Sequence, residues 1–189
     1  MLLILLAIAA QASDLQVRSE LPRPVAGHAV FDLRVGLNTG MTDGQALRPT
    51  FCAEAMPVRR LGVEACGNGS GILHAEDGPD MAHFRVRGAP VVFSDGRLGG
   101  QLMLGLGFTE VQRAEDRPGF RFGEADEMQV EAAGPEASVG FKGRYWVTDQ
   151  SHIAMDVVAG TAYIPGAPAV MGWGSPLVPF VSITTGMGF

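Results

Sequence analysis

The chain has 189 residues and a formal charge of −6, enough for one domain and without the basic surplus that nucleic-acid partners require. Hydrophobic residues make up 47% of it, yet after Ala12 no run approaches the roughly 20 apolar residues of a membrane-spanning helix. Its 26 glycines favour tight turns and crowded backbones over long helices.

Met1 to Ala10 is unbroken apolar sequence, and Ala10-Gln11-Ala12 ahead of Ser13 and Asp14 has the small-x-small form of a cleavage site. Residues 1–12 are therefore expected to be an export signal. The run is short and no basic residue precedes it, as a start codon assigned too far downstream would leave it. Residues 13–27 hold Pro22 and Pro24, show no periodicity and read as an extended periplasmic lead-in.

Period-two alternation begins at His28 and returns eight times to the C-terminus, which predicts an all-β barrel domain over 28–189. The first strand, His28–Met41, sets Phe31, Leu33, Val35 and Leu37 against Asp32, Arg34 and Gly36. The second, about 46–56, sets Leu47, Phe51, Ala53 and Ala55 against Arg48, Thr50, Cys52 and Glu54. The third, about 60–68, sets Leu61, Val63 and Ala65 against Arg60, Glu64 and Cys66. The fourth, about 82–93, sets Phe84, Val86 and Val92 against His83, Arg85 and Arg87. In the fifth, about 97–112, Leu98, Leu102, Leu104, Leu106 and Phe108 oppose Gly99, Gln101, Gly105 and Gly107. The sixth ends near Val147, with Val139, Phe141 and Tyr145 opposite Gly140, Lys142 and Arg144. The seventh, about 151–163, places Ile153, Met155, Val157 and Tyr163 opposite His152, Asp156 and Gly160. The eighth, about 177–189, places Val181, Ile183, Met187 and Phe189 opposite Ser182, Thr184 and Gly188.

Connections near 57–59, 94–96 and 148–150 are tight, whereas those near 69–81, 113–127 and 164–176 are long and polar. Short turns at one end and long loops at the other suit an outer-membrane barrel, where an even strand number is the rule. A soluble barrel of lipocalin type also alternates, with its apolar face inside. Glycine on the polar faces decides for lipid outside, because a narrow lumen needs small residues and a solvated surface does not. The aromatics agree: Phe84, Phe108 and Tyr163 fall toward one rim, and Phe31, Tyr145 and Phe189 toward the other, all on the apolar face.

The chain closes on Val-Ser-Ile-Thr-Thr-Gly-Met-Gly-Phe. Here it resembles the small outer-membrane barrels of the OmpA and OmpX type, an architectural likeness over about 28–189. The resemblance implies an eight-stranded antiparallel up-and-down transmembrane β-barrel in a bacterial outer membrane. It also implies that Phe189 is an assembly signal read by the barrel-assembly machinery, and that outer-membrane lipid is the other partner.

The inward faces carry Asp32, Arg34, Arg48, Glu54, Arg60, Glu64, Arg85, Arg87, Lys142, Arg144 and Asp156. Isolated buried charges are costly, so these residues are expected to pair and fill the lumen. A three-residue turn at 148–150 sets Lys142 opposite Asp156, and a slip by one pair substitutes Arg144; a bridge from Asp156 to one of the two is expected. A turn at 58–60 sets Leu61 opposite Pro57, Glu64 opposite Glu54 and Cys66 opposite Cys52. Facing residues have Cβ atoms about 4.5–5.5 Å apart, near disulfide range, and export makes the Cys52–Cys66 bond feasible.

No catalytic constellation stands out. Ser151 and His152 are neighbours on a strand and point to opposite faces. His74, beside Glu76, Asp77 and Asp80, reads as a solvated acidic loop; no metal or cofactor is expected. The expected role is structural, or surface recognition of an extracellular ligand through the loops, 113–127 with its two phenylalanines among them. The alternatives are a conduit for small hydrophobic or anionic solutes and a lipid A-modifying enzyme.

Overall fold

The computed structural model describes residues 30–39, 47–58, 60–68, 79–113, 122, 131–172 and 174–189. The proposed export signal, lead-in, His28, His74 and nearly all of the 113–127 loop lie outside these residues. Eight strands form a closed barrel in sequence order: β1 (Val30–Asn38), β2 (Arg48–Val58), β3 (Leu61–Gly67), β4 (Pro79–Asp95), β5 (Leu98–Arg113), β6 (Glu131–Trp146), β7 (His152–Tyr163) and β8 (Leu177–Gly188). Every neighbouring pair is antiparallel, including β1 with β8, so no sheet edge is left to pair with another chain. Following facing pairs once round the barrel from Leu98 returns to β5 at Phe108, ten residues along. For eight strands that stagger gives a tilt of roughly 40°.

One barrel end, the terminal end, carries the start of β1, the end of β8 and the turns β2–β3, β4–β5 and β6–β7. The opposite end is the loop end. Closure at the seam reaches the last residue. Phe31 N–H donates to Phe189 O at 2.9 Å, Phe189 N–H returns the bond at 3.1 Å, and the two rings lie 5.9 Å apart. Along the same seam, a Cβ on Gly36 would collide with the Ile183 carbonyl oxygen and one on Gly186 with that of Leu33. Glycine is what lets β1 and β8 approach this closely.

The alternation sorts side chains as expected, with two corrections. First, β2 holds one extra residue between Ala55 and Val58, a bulge that includes Pro57. Leu61 therefore faces Val58, not Pro57, and the turn is shorter than the three residues expected. Arg60 consequently lies exposed in that turn, not in the lumen. Beyond the bulge Glu54 faces Glu64 and Cys52 faces Cys66. Second, β4 holds one extra residue between Gly88 and Val91, around Pro90, which has no N–H for the ladder. The bulge exchanges faces: Val91 (43% exposed) and Phe93 (53%) point outward, and Val92 packs inward against Met56, Ala89 and Met103. Val92 was expected on the lipid face.

A further element breaks the β6–β7–β8 regularity. In the connection after β7, Ala167–Met171 forms a short helix, α1, with Pro168 in its first turn and Gly172 closing it at φ 67°. Ala167, Val170 and Met171 are buried and pack with inward residues of the loop end.

Candidate functional site

Inside-out polarity is the first property of this barrel. Leu33, Leu104, Leu106, Ile153, Ile183 and Met187 stand exposed on the exterior, whereas Asp32, Arg34, Glu54, Arg87, Lys142 and Asp156 are buried. Aromatic pairs sit on the exterior, Phe84 on Phe108 (5.2 Å) toward the loop end and Phe93 on Phe141 (5.8 Å) toward the terminal end. Tyr163 and Tyr145 are exposed on the same face, at the loop and terminal ends respectively.

The described lumen holds an apolar cluster toward each end and an ionic network that reaches from one to the other. At the terminal end Met56, Ala89 and Met103 form an apolar layer with Val30 and Val92 against it. A continuous ionic network runs beside this layer, where Arg144 Nη2 lies 2.9 Å from Met56 Sδ, and on toward the loop end. Arg34 binds Glu54 (2.9 Å), Glu64 and Asp156. Arg87 binds Glu64 (2.6 Å), Glu54 (3.2 Å) and Asp156, the last through both guanidinium nitrogens. Arg85 joins Glu64 (2.5 Å) to Glu136 (3.3 Å). Lys142 reaches Asp32 (3.1 Å) and Glu54, and Arg144 also meets Asp32, at 3.1 Å. Five cations and five carboxylates thus neutralise one another. Each of these ten charges has an opposite partner, the condition under which burial is tolerable.

Toward the loop end His83 accepts the approach of Asn38 Nδ2 at its Nε2 (3.1 Å) and meets Glu136 through Nδ1 (2.6 Å). Thr109 donates to the same Glu136 oxygen at 2.5 Å. The ring of Phe180 lies 4.3 Å over His83 and begins the loop-end apolar cluster, with Met81, Val111, Ala162, Val178 and the helix residues Val170 and Met171. Arg48 is buried at this end. At the other end His152 meets Asp32 at 2.6 Å and packs on Trp146.

Of the expected lumen charges, Asp32, Arg34, Arg48, Glu54, Glu64, Arg85, Arg87, Lys142, Arg144 and Asp156 do face inward, and Arg60 does not. The expected pairing of Asp156 needs correction. Lys142 is its facing residue on β6, but the ammonium turns to Asp32 and Glu54. Arg34, two strands away on β1, and Arg87, three strands away on β4, take Asp156 through the lumen. An eight-stranded lumen is narrow enough for an arginine to reach past its neighbouring strands, so facing position does not dictate partner. Asn38 and Thr109 face inward as the alternation of their strands implies, whereas Glu136 was missed; it shares the inward parity of Lys142, on the part of β6 before the alternation traced in the sequence.

Cys52 and Cys66 are bonded, with Cα atoms 4.1 Å apart. Groups of lumen side chains that could hold an ion, Glu54 with Glu64 and Asp156, are already occupied by Arg34 and Arg87. Ser151 donates or accepts a hydrogen bond with Thr148 in the turn, away from His152 and Asp32, so no nucleophile–base pair forms there.

No protein-family profile matches the chain, nor does the sequence of any curated protein. Among solved structures it is similar to Neisserial surface protein A: 10% identity, covering 85% of this chain and 94% of that one, with a TM-score of 0.52. OprG from Pseudomonas aeruginosa aligns at 14% identity over 86% of this chain and 95% of that one, TM-score 0.44. The N-terminal barrel domain of Pseudomonas aeruginosa OprF aligns at 7% identity over 87% and 98%, TM-score 0.44. At such identities the likeness is one of fold. The chain has the architecture of the small eight-stranded outer-membrane barrels, as its resemblance to the OmpA and OmpX type implied. With an apolar exterior, a charged interior and no open edge, it is a transmembrane barrel of the bacterial outer membrane.

Proposed function

We propose that the protein is a sealed, non-conducting and non-catalytic barrel that anchors its loop-end surface in the outer membrane. Its role is structural or one of surface recognition. One observation carries this reading: a charge-neutral ionic network fills the lumen, with an apolar cluster packed against it toward each end. A solute would have to break buried ion pairs and displace packed side chains at both ends. With both termini in the periplasm, the loop end faces outside, where an extracellular ligand would meet it.

Reconstitution into planar bilayers tests this. No stepwise conductance above the bare membrane is expected at either polarity, and steady single-channel steps would overturn the reading. Lipid A mass spectra from cells with and without the protein should coincide; a reproducible mass difference would establish the enzymatic alternative.

A conduit for small hydrophobic molecules draws support from a separate observation, the apolar cluster in the loop-end lumen. Val170 and Met171 of α1 themselves fill that space, which favours a plug. Saturable binding of an apolar fluorophore to the intact barrel would reverse that preference.

A further inference from the structure

The Cys52–Cys66 bond lies where chemistry cannot easily reach it. Both residues point into the lumen, 5% and 6% exposed. Cys52 faces Arg34 on β1, and Cys66 faces His83 on β4. Arg85 Nη2 stands 3.8 Å from Cys66 Sγ. On the other side are the strands themselves and then lipid. Along the barrel axis the buried Arg34 and Glu64 fill the lumen on the terminal side of the bond, and the buried Thr50, Asn68 and His83 on its loop side. Thiol–disulfide exchange needs an attacking thiolate in line with the sulfur–sulfur axis, and these buried neighbours obstruct that approach.

The two cysteines nevertheless belong to one local hairpin. They are 14 residues apart, face each other in the β2–β3 ladder, and need no other strand to meet. We propose that this bond is made before the barrel closes: the open β2–β3 hairpin is the substrate of envelope thiol oxidation, and closure then locks the product away. The oxidant is a disulfide-bearing oxidoreductase. One cysteine attacks it as thiolate, forming a mixed disulfide and releasing the oxidant's second sulfur as thiolate. The other cysteine then attacks the mixed disulfide at the protein's sulfur, forming Cys52–Cys66 and freeing the oxidant as a dithiol. Two electrons pass to the oxidant, and the two thiol protons leave to solvent or to its thiolates. The class of reaction that must precede insertion is thus dithiol oxidation of an exported, unfolded chain.

Two experiments on the mature chain test this. Oxidised barrel folded in detergent micelles is treated with dithiothreitol, quenched with iodoacetamide under denaturing conditions and weighed. Reduction is expected to be at least about 100-fold slower than for the urea-unfolded chain, because exchange must wait for the barrel to open. Reduction at the unfolded rate would overturn the proposal. In cells, pulse-labelled chain is alkylated and separated into protease-sensitive unassembled and heat-modifiable assembled pools. The bond is expected in the unassembled pool. An assembled pool that begins as dithiol and is oxidised later would refute the order, and this arm holds even if a reduced chain cannot fold in vitro.

Discussion

Arg34 is the residue on which the lumen's charge balance can be tested most directly. Its guanidinium meets Glu54, Glu64 and Asp156, and all four side chains are at most 1% exposed. Arg34→Met keeps most of the stem and removes the charge, leaving one buried negative charge in excess. Removing one partner of a buried ion pair costs about 3–5 kcal/mol, so the variant should lose about that much. Asp156→Asn leaves one positive charge in excess between Arg34 and Arg87 and should cost a similar amount. The double variant restores neutrality and keeps an amide oxygen for Arg87. It should therefore lose less than the sum of the singles, with a coupling of at least about 2 kcal/mol. The assay is urea unfolding of barrel reconstituted in lipid vesicles, followed by tryptophan fluorescence. A single-variant loss under about 1 kcal/mol, or strictly additive losses, would refute the argument that the network is held together by paired charge.

Other expectations follow from single features. Deleting Phe189 removes both hydrogen bonds to Phe31 and should weaken closure by about 1–3 kcal/mol, seen as less assembled barrel in cells at low expression. Gly36→Ala forces a methyl onto the Ile183 carbonyl and should cost about 1–3 kcal/mol in the same urea assay, whereas Gly88→Ala, with open space around its Cβ position, should be nearly neutral. Equal losses at the two positions would count against close approach at the seam. Val91→Cys and Val92→Cys in a chain lacking Cys52 and Cys66 should differ sharply: a lipid-soluble maleimide labels the first and spares the second. The reverse pattern would remove the bulge from β4.

The barrel was legible in the sequence because burial alternates with period two and strand order follows chain order. Neither property depends on distant contacts. The Cys52–Cys66 pairing was legible for the same reason, through a different turn than expected. A bulge restored the register that a longer turn had been assumed to supply. Bulges were not read because proline marks them ambiguously. Pro57 and Pro90 lie in the two irregular stretches, yet Pro49, Pro135 and Pro179 sit in regular ladders. The partners of Asp156 were illegible for a deeper reason. They are chosen through the lumen by side-chain length, and pairing rules describe only neighbouring strands. The helix α1 escaped notice because Ala-Pro-Ala-Val-Met is five residues in a glycine-rich loop, too short to show a period.

The long strands have a consequence for how this protein answers its surroundings. β4, β5 and β6 run for 17, 16 and 16 residues, against the roughly 9–11 that cross a membrane. On β5 the outward apolar residues begin at Leu98 and stop at Phe108, and the polar Glu110, itself buried, and Gln112 follow on the same parity. From there to Arg113 the wall rises about 13 Å past the lipid, given the strand rise and tilt. Its inner side carries Val111, Met81 and Ala132 packed on α1. Water, not lipid, is the solvent against which this parapet buries its core. One ladder therefore joins two folding problems. Bilayer thickness acts on the lower band, and urea or temperature acts on the parapet through the ordinary hydrophobic effect. Fraying should begin above the lipid, at α1, while the band beneath remains closed.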